Sequence, residues 1–204
     1  MIKLYRFPLS TNVERVALAL AHKELSVESV VIDPADRREV LRVSGQDLVP
    51  VIVDGDRTVC DSMEIVRYLE ERYPRNPLYP SDPARRAEML IFIDWFNRVW
   101  KRPPNDMEAE MTKPSPDPAR IEALGRAMTG ALELFEGMLA GREYLMGEFS
   151  AADCAAFPFL RYSLIRDEGD PYLFHEILVK HQPLGENHPR VAAWIRRVNR
   201  HPRV

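Results

Sequence analysis

Four of the eleven residues from Tyr73 to Pro83 are proline, and regular structure does not survive that density. Each proline removes a backbone donor and fixes φ at about −65°, which excludes a helix interior or an inner strand. On either side of this stretch the hydrophobic pattern differs. Upstream, short β-branched runs alternate with amphipathic helical segments; downstream, only helical periodicity recurs. The pattern predicts an α/β domain over residues 1–75, a linker with the start of the next helix over 76–86, and an all-helical domain over 87–204. A chain of 204 residues with 46% apolar content can bury one good core or two small ones.

In the upstream part, Ile2–Phe7 reads as a strand and Asn12–Lys23 as a helix with Val13, Val16, Ala17 and Leu20 on one face. Val27–Ile32 is a second strand rich in β-branched residues, and Arg37–Val43 a short helix before a loop at 44–47. The strand–helix–strand crossover is expected to be parallel and right-handed. Leu48–Gly55 then gives an apolar run and an Asp-Gly turn, followed by a short strand and a helix over Met63–Tyr73. Asp61 is placed to cap that helix, with Glu64 closing a capping box. Pro50 stands at the strand entrance, where no inner ladder needs its donor. Such a unit sets a strand edge, which pairs with peptide backbone, beside a helix N-terminus, which attracts a carboxylate. It is equally a hairpin and a well-capped helix with no ligand.

The ordered motif V-P-V-x-V-D-G, then D-S-x-x-I-x-x-Y-L-x-x-x-Y-P, resembles the glutathione-binding half of the glutathione S-transferase superfamily. The resemblance runs through nearly the whole chain. It implies an α/β plus all-α fold: a thioredoxin-like N-terminal domain followed by an all-helical C-terminal domain. It also implies glutathione as co-substrate, no metal, a small hydrophobic electrophile as partner, a homodimer and a cytoplasmic location. By the same resemblance Asp61 pairs with the γ-glutamyl amine, Ser62 with its carboxylate, and Val49, before Pro50, with the cysteinyl backbone. Arg37 or Arg38 is expected to meet the glycyl carboxylate, although an arginine pair on a helix is commonly a solvated face. Family members often carry a polar residue two positions before that proline; here it is Leu48, with Gln46 as a substitute.

The turn Phe7–Asn12 is where the resemblance puts the chemistry, since a helix N-terminus favours a thiolate. Aligning Arg15-Val16-Ala17-Leu18-Ala19-Leu20 with the family's R-V-x-x-A-L helix makes Ser10 the hydroxyl that donates to the glutathione sulfur, with Thr11 as runner-up. In a second register, Phe7-Pro8-Leu9-Ser10 matches the C-P-x-C/S turn of glutaredoxins and cysteine-type transferases. Phe7 then replaces the nucleophile and no thiol remains for disulfide exchange. Ser10 and Thr11 are also ordinary helix caps, and Tyr5, a rival for a tyrosine-type role, lies inside a strand pattern. The open alternatives are a non-catalytic, protein-binding regulator and a glutathione-dependent isomerase or thiol reductase.

Downstream, Ser81 or Asp82 caps a helix over Ala84–Trp100 with Leu90, Ile93, Phe96 or Asn97, and Trp100 inward, ended at Lys101–Pro104. Short helical structure is expected over Asp106–Thr112 and a long amphipathic helix over Ala119–Leu139. Ser150 and Asp153 form a capping box opening a buried helix over Ala151–Leu164 with Pro158 inside it, and a last helix follows from Asn187 to Arg200. Trp95, Phe96, Val99 and Trp100 form either a pocket wall or, the reading that aromatic helical spacing favours, core. A net charge of −3 without a basic block argues against nucleic acid, and no apolar run spans a bilayer. Cys60 and Cys154 are too few for a disulfide framework or a zinc site, and the five histidines lack ligand spacing. The first residues start directly with strand alternation rather than a secretory signal.

Overall fold

The computed structural model describes all 204 residues, which fall into two compact units: Met1–Pro80 with His201–Val204, and Ser81–Arg200. The last four residues thus belong to the first unit, not to the helices that precede them.

The first unit contains β1 (Ile2–Arg6), α1 (Thr11–His22), β2 (Val27–Val31), α2 (Arg38–Ser44), β3 (Val51–Asp54), β4 (Arg57–Cys60) and α3 (Ser62–Arg72). Its sheet has the order β2-β1-β3-β4. β1 runs parallel to β2 and antiparallel to β3, and β4 is antiparallel to β3. Alternation along the strands divides the core. Tyr5 and Val51, paired across β1 and β3, pack with Ile32 and with Val40 of α2. Leu4 and Ile52, paired one step away and fully buried, face the other way, toward the layer in which α1 packs on α3. Tyr5 is therefore core. Gly45 closes α2 in the left-handed region at φ 74°, where a side chain would be strained.

Two polar clusters fix the far end of α3. The Asp54 carboxylate, at the β3–β4 turn, accepts from Tyr68 Oη at 2.8 Å and Tyr73 Oη at 2.6 Å. That bond, with burial, pushes the Tyr73 phenol up to about 12. The proline-dense stretch carries neither helix nor strand up to Asp82. Lys23, its side chain wholly buried, pairs with Glu70 at 2.7 Å and donates to the Tyr73 carbonyl at 2.8 Å. Glu70 in turn accepts from Leu78 N at 3.0 Å, so a buried ion pair made by α1 and α3 sets the linker's path.

The second unit is helical throughout: α4 (Pro83–Trp95) running into a π-helical turn (Phe96–Trp100), α5 (Arg102–Met111), α6 (Pro118–Met138), α7 (Ala151–Leu160) with a 3₁₀ turn (Arg161–Ser163), α8 (Leu173–His181) and α9 (Pro189–Asn199). Asp82 caps α4 through Arg85 N at 2.9 Å, with Pro83 at the tolerated first position. The helical run ends at Trp100, as expected, and a new helix starts at once, with Pro103 and Pro104 in the first turn of α5, where amides have no intrahelical partner. The inward face of α4 is Met89, Phe92 and Ile93, whereas Leu90 is 45% exposed. The Lys101 N–Phe96 O bond of 3.0 Å spans five residues. Phe96 and Trp100 stack at 4.5 Å, each edge-on to Phe135 and Phe159. These two aromatics are core, and Val99 faces out, 54% exposed. No expectation covered α8.

The Ser150–Asp153 capping box is present. Asp153 is fully buried and accepts from Leu145 N (3.1 Å), Ser150 N (2.9 Å), Ser150 Oγ (3.0 Å) and Trp194 Nε1 (2.8 Å). Burial pushes its carboxyl up to about 6 against the pull of those four donors. No helix is long and apolar enough to cross a membrane.

Candidate functional site

Strand register gathers most of the expected site residues at one end of the first unit's sheet. Tyr5 pairs with Val51, and Val51 pairs with Cys60. The segments just outside those positions are therefore neighbours: Phe7–Ser10 after β1, Val49–Pro50 before β3, and Asp61–Ser62 after β4. The Val49–Pro50 bond is cis. Val49 is half-buried and Pro50 buried.

Ser10 is the N-cap of α1, its Oγ accepting from Val13 N at 3.3 Å. A hydroxyl accepting in this way keeps its own proton for a second partner. Thr11 is the first residue of the helix and is buried, so it is less open to a ligand than Ser10. Leu9, just before, lies in the left-handed region at φ 64°, a strained position for a branched side chain.

Asp61 is exposed and caps α3, accepting from Met63 N at 2.9 Å and Glu64 N at 3.2 Å. Its φ is 66° and ψ 129°, a combination that L-residues avoid, so surrounding structure must hold it. Glu64, expected to close a capping box back onto Asp61, instead pairs with Arg67; on the exposed surface an ion pair one turn along competes with the box. Ser62 is buried, and its Oγ accepts from Arg15 Nη1 at 3.2 Å. Arg15, from the middle of α1, is 1% exposed. It was missed as a site residue, although an arginine within the apolar run Val13–Leu20 was a visible signal. The contact ties the first turn of α3 to α1 five residues past Ser10.

Arg37 and Arg38 differ in their partners. Arg38 is turned to solvent and engaged by Asp36, with Nε–Oδ1 at 2.8 Å; that bond holds the Asp36 carboxyl down at about 2. Arg37 folds inward, its guanidinium 5.5 Å from the Phe7 ring centroid and donating to Asp47 O at 3.3 Å. It therefore lies beside the first turn and bridges to the loop preceding β3. Gln46 is occupied locally: its amide donates to Leu48 O at 2.8 Å and accepts from Leu48 N at 2.7 Å. Leu48 itself is 62% exposed. A hollow of about 490 Å³ near α2 is lined by Asp33, Asp36, Arg38 and Arg42 among others, and of the expected site residues only Arg38 contributes to it.

Set beside known proteins, the chain matches the model of the glutathione S-transferase N-terminal domain over residues 4–77 and of the C-terminal domain over 118–197. It is 31% identical over 173 residues to glutathione S-transferase GstB of Escherichia coli (strain K12), covering 78% of this chain and 82% of that one. It is 26% identical over 214 residues to pyrimidodiazepine synthase of Drosophila melanogaster, covering 100% and 79%. Among solved structures, a glutathione S-transferase from Rhodospirillum rubrum F11 matches with a TM-score of 0.74 at 27% identity, over 99% of this chain and 89% of that one.

Proposed function

The chain belongs to the glutathione S-transferase family, and from that premise we propose that it binds glutathione and stabilises its thiolate for attack on a small electrophile. The observation that carries this reading is the pairing of two capped helix N-termini, α1 at Ser10 and α3 at Asp61, linked by the Arg15–Ser62 contact of 3.2 Å. Two such termini and a buried guanidinium make a positive environment suited to a tripeptide with two carboxylates and an ionised sulfur.

In this reading the Asp61 carboxylate pairs with the γ-glutamyl amine, and Ser62 with the neighbouring carboxylate. The Val49 backbone, before Pro50, meets the cysteinyl unit, and Arg37 the glycyl carboxylate. Gln46 shapes the loop through Leu48 rather than touching ligand. Ser10 donates its hydroxyl proton to the sulfur while Oγ keeps its cap on Val13. The hydrogen bond strengthens as charge develops on sulfur, so the thiol's pKa falls and more thiolate is present at neutral pH. The thiolate then forms a bond to an electrophilic carbon of a small hydrophobic co-substrate, and the leaving group departs with the electron pair. The working state is a cytoplasmic homodimer.

A second reading, a protein-binding module without catalysis, draws on Leu48, whose 62% exposure leaves an apolar side chain where the family resemblance implies a polar one. Calorimetry with reduced glutathione separates the two. Binding at up to millimolar concentration is expected, and wild-type protein that gives no heat would favour the module.

A further inference from the structure

The turn between β1 and α1 is gripped from both sides by the far end of the chain. Arg6, the last residue of β1, donates from Nη1 to the Val204 carbonyl at 2.8 Å. Glu14, in the first turn of α1, accepts from Arg203 Nη2 at 2.9 Å and from Nε at 3.3 Å. Arg203 also donates from Nη1 to His201 O, which curls the tail around its own guanidinium. The Arg203 and Glu14 side chains are 24% and 16% exposed, so solvent and salt screen this pair less than the surface pairs of α3. These bonds join residues 189 and 198 positions apart, and they flank a turn that contains the strained Leu9.

We propose that His201–Val204 is a clasp that holds the Phe7–Ser10 turn and cancels the Glu14 charge beside it, making Arg203 a positioning residue for the thiolate. The inference rests on the reading that the glutathione sulfur lies at this turn. The mechanical part follows from the bonding: one anchor precedes the turn, the other follows it, and Ser10 lies between them. The electrostatic part follows from spacing. Glu14 stands one helical turn after Ser10, and Glu14 N bonds Ser10 O at 3.0 Å. An unneutralised carboxylate there opposes a second negative charge on sulfur. The charged groups around the turn are Arg6 on β1, Glu14 and Arg15 on α1, Arg37 beside Phe7, and His201 and Arg203 on the tail. Arg203 pairs with Glu14, Arg15 donates to Ser62 and Arg37 to Asp47.

Hydrogen–deuterium exchange of unliganded full-length protein tests the clasp without any ligand. Removal of Arg203 and Val204, or Arg203→Gln, is expected to speed exchange several-fold in peptides covering residues 7–14 and to leave α7 unchanged. Unaltered exchange at the turn would overturn the clasp, whether or not glutathione binds. The charge effect is read from the thiol titration of bound glutathione. Arg203→Gln should raise it by several tenths of a pH unit, about two- to fivefold less thiolate. The double variant Glu14→Gln/Arg203→Gln should bring the titration back while exchange stays fast, a split that a purely structural role does not produce. A titration unmoved by Arg203→Gln would remove the charge effect from the proposal. Wild-type complex that titrates like free glutathione would instead contradict the thiolate reading, with the exchange result still deciding the clasp.

Discussion

Two helix caps in this molecule use the same chemistry to opposite ends. At α7, Ser150 and Asp153 form a reciprocal box in ordinary extended geometry, φ −148° at the cap, and Asp153 is wholly enclosed by four donors. At α3, Asp61 caps from an exposed position at φ 66°, and its box partner has turned to Arg67. The buried cap leaves no acceptor for anything outside the protein and serves the fold. The exposed one keeps a carboxylate oxygen toward solvent and tolerates a strained backbone that does nothing for stability. A cap retained at such a cost fits a ligand-facing role better than a structural one.

The largest effect expected from breaking this comparison is at the buried cap. Asp153→Ala strands the Leu145 and Ser150 amides and the Trp194 indole N–H, and should cost about 3–5 kcal/mol in denaturant unfolding. The same truncation at Asp61 should cost about 1 kcal/mol, an ordinary cap loss. Equal losses at the two sites would erase the distinction. The buried cap also has a pH signature. Because the folded Asp153 carboxyl titrates at about 6 rather than 3.8, the native state binds this proton more tightly than the unfolded chain. Its contribution to stability is therefore greatest below pH 4 and declines as pH rises to about 6, by roughly 2–3 kcal/mol. Unfolding curves of wild type and Asp153→Asn should differ by a term with that slope, and a flat difference would count against it.

At the exposed cap the ranking reverses when binding is measured. Asp61→Ala should weaken glutathione by about 1.5–3 kcal/mol, the worth of a hydrogen bond to a charged group. Asp61→Asn keeps both the cap and a side chain tolerant of positive φ, and should leave stability within about 0.5 kcal/mol of wild type while still losing affinity. Asparagine binding as tightly as aspartate would mean that the charge plays no part.

Both N-cap residues were legible in the sequence, but the D/S-x-x-D/E spacing predicted two boxes and only that of Ser150 and Asp153 forms. Which of them would be buried was not legible, since that depends on Trp194, 41 residues beyond Asp153. The proline stretch and the succession of strands and helices before it were equally plain. The inward face of α4 was misplaced by one residue at Leu90, and α8, only nine residues long, had no counterpart among the expectations. The family resemblance, not local spacing, proposed Ser10, Val49, Asp61 and Ser62 as site residues. It could not choose between Arg37 and Arg38, because that choice rests on a neighbour, Asp36, competing for one of them. Gln46 was offered as the polar substitute for Leu48, and its amide closes on Leu48 two residues away. Arg15, Glu14 and Arg203 act through partners 47 to 189 positions distant, which no local pattern records.

The central claim is that Ser10 acts on sulfur as well as on its helix. It is tested most directly by following thiolate absorbance of the glutathione complex against pH. The bound thiol is expected to titrate below the free one, whose cysteine reference is about 8.5. Ser10→Ala should shift it upward and lower the transfer rate about tenfold to a thousandfold, as for a lost oxyanion-type donor, with glutathione affinity little changed. Thr11→Ala is the control and should leave the titration in place. A bound thiol that titrates identically in wild type and Ser10→Ala would contradict the claim and leave Ser10 as a helix cap alone.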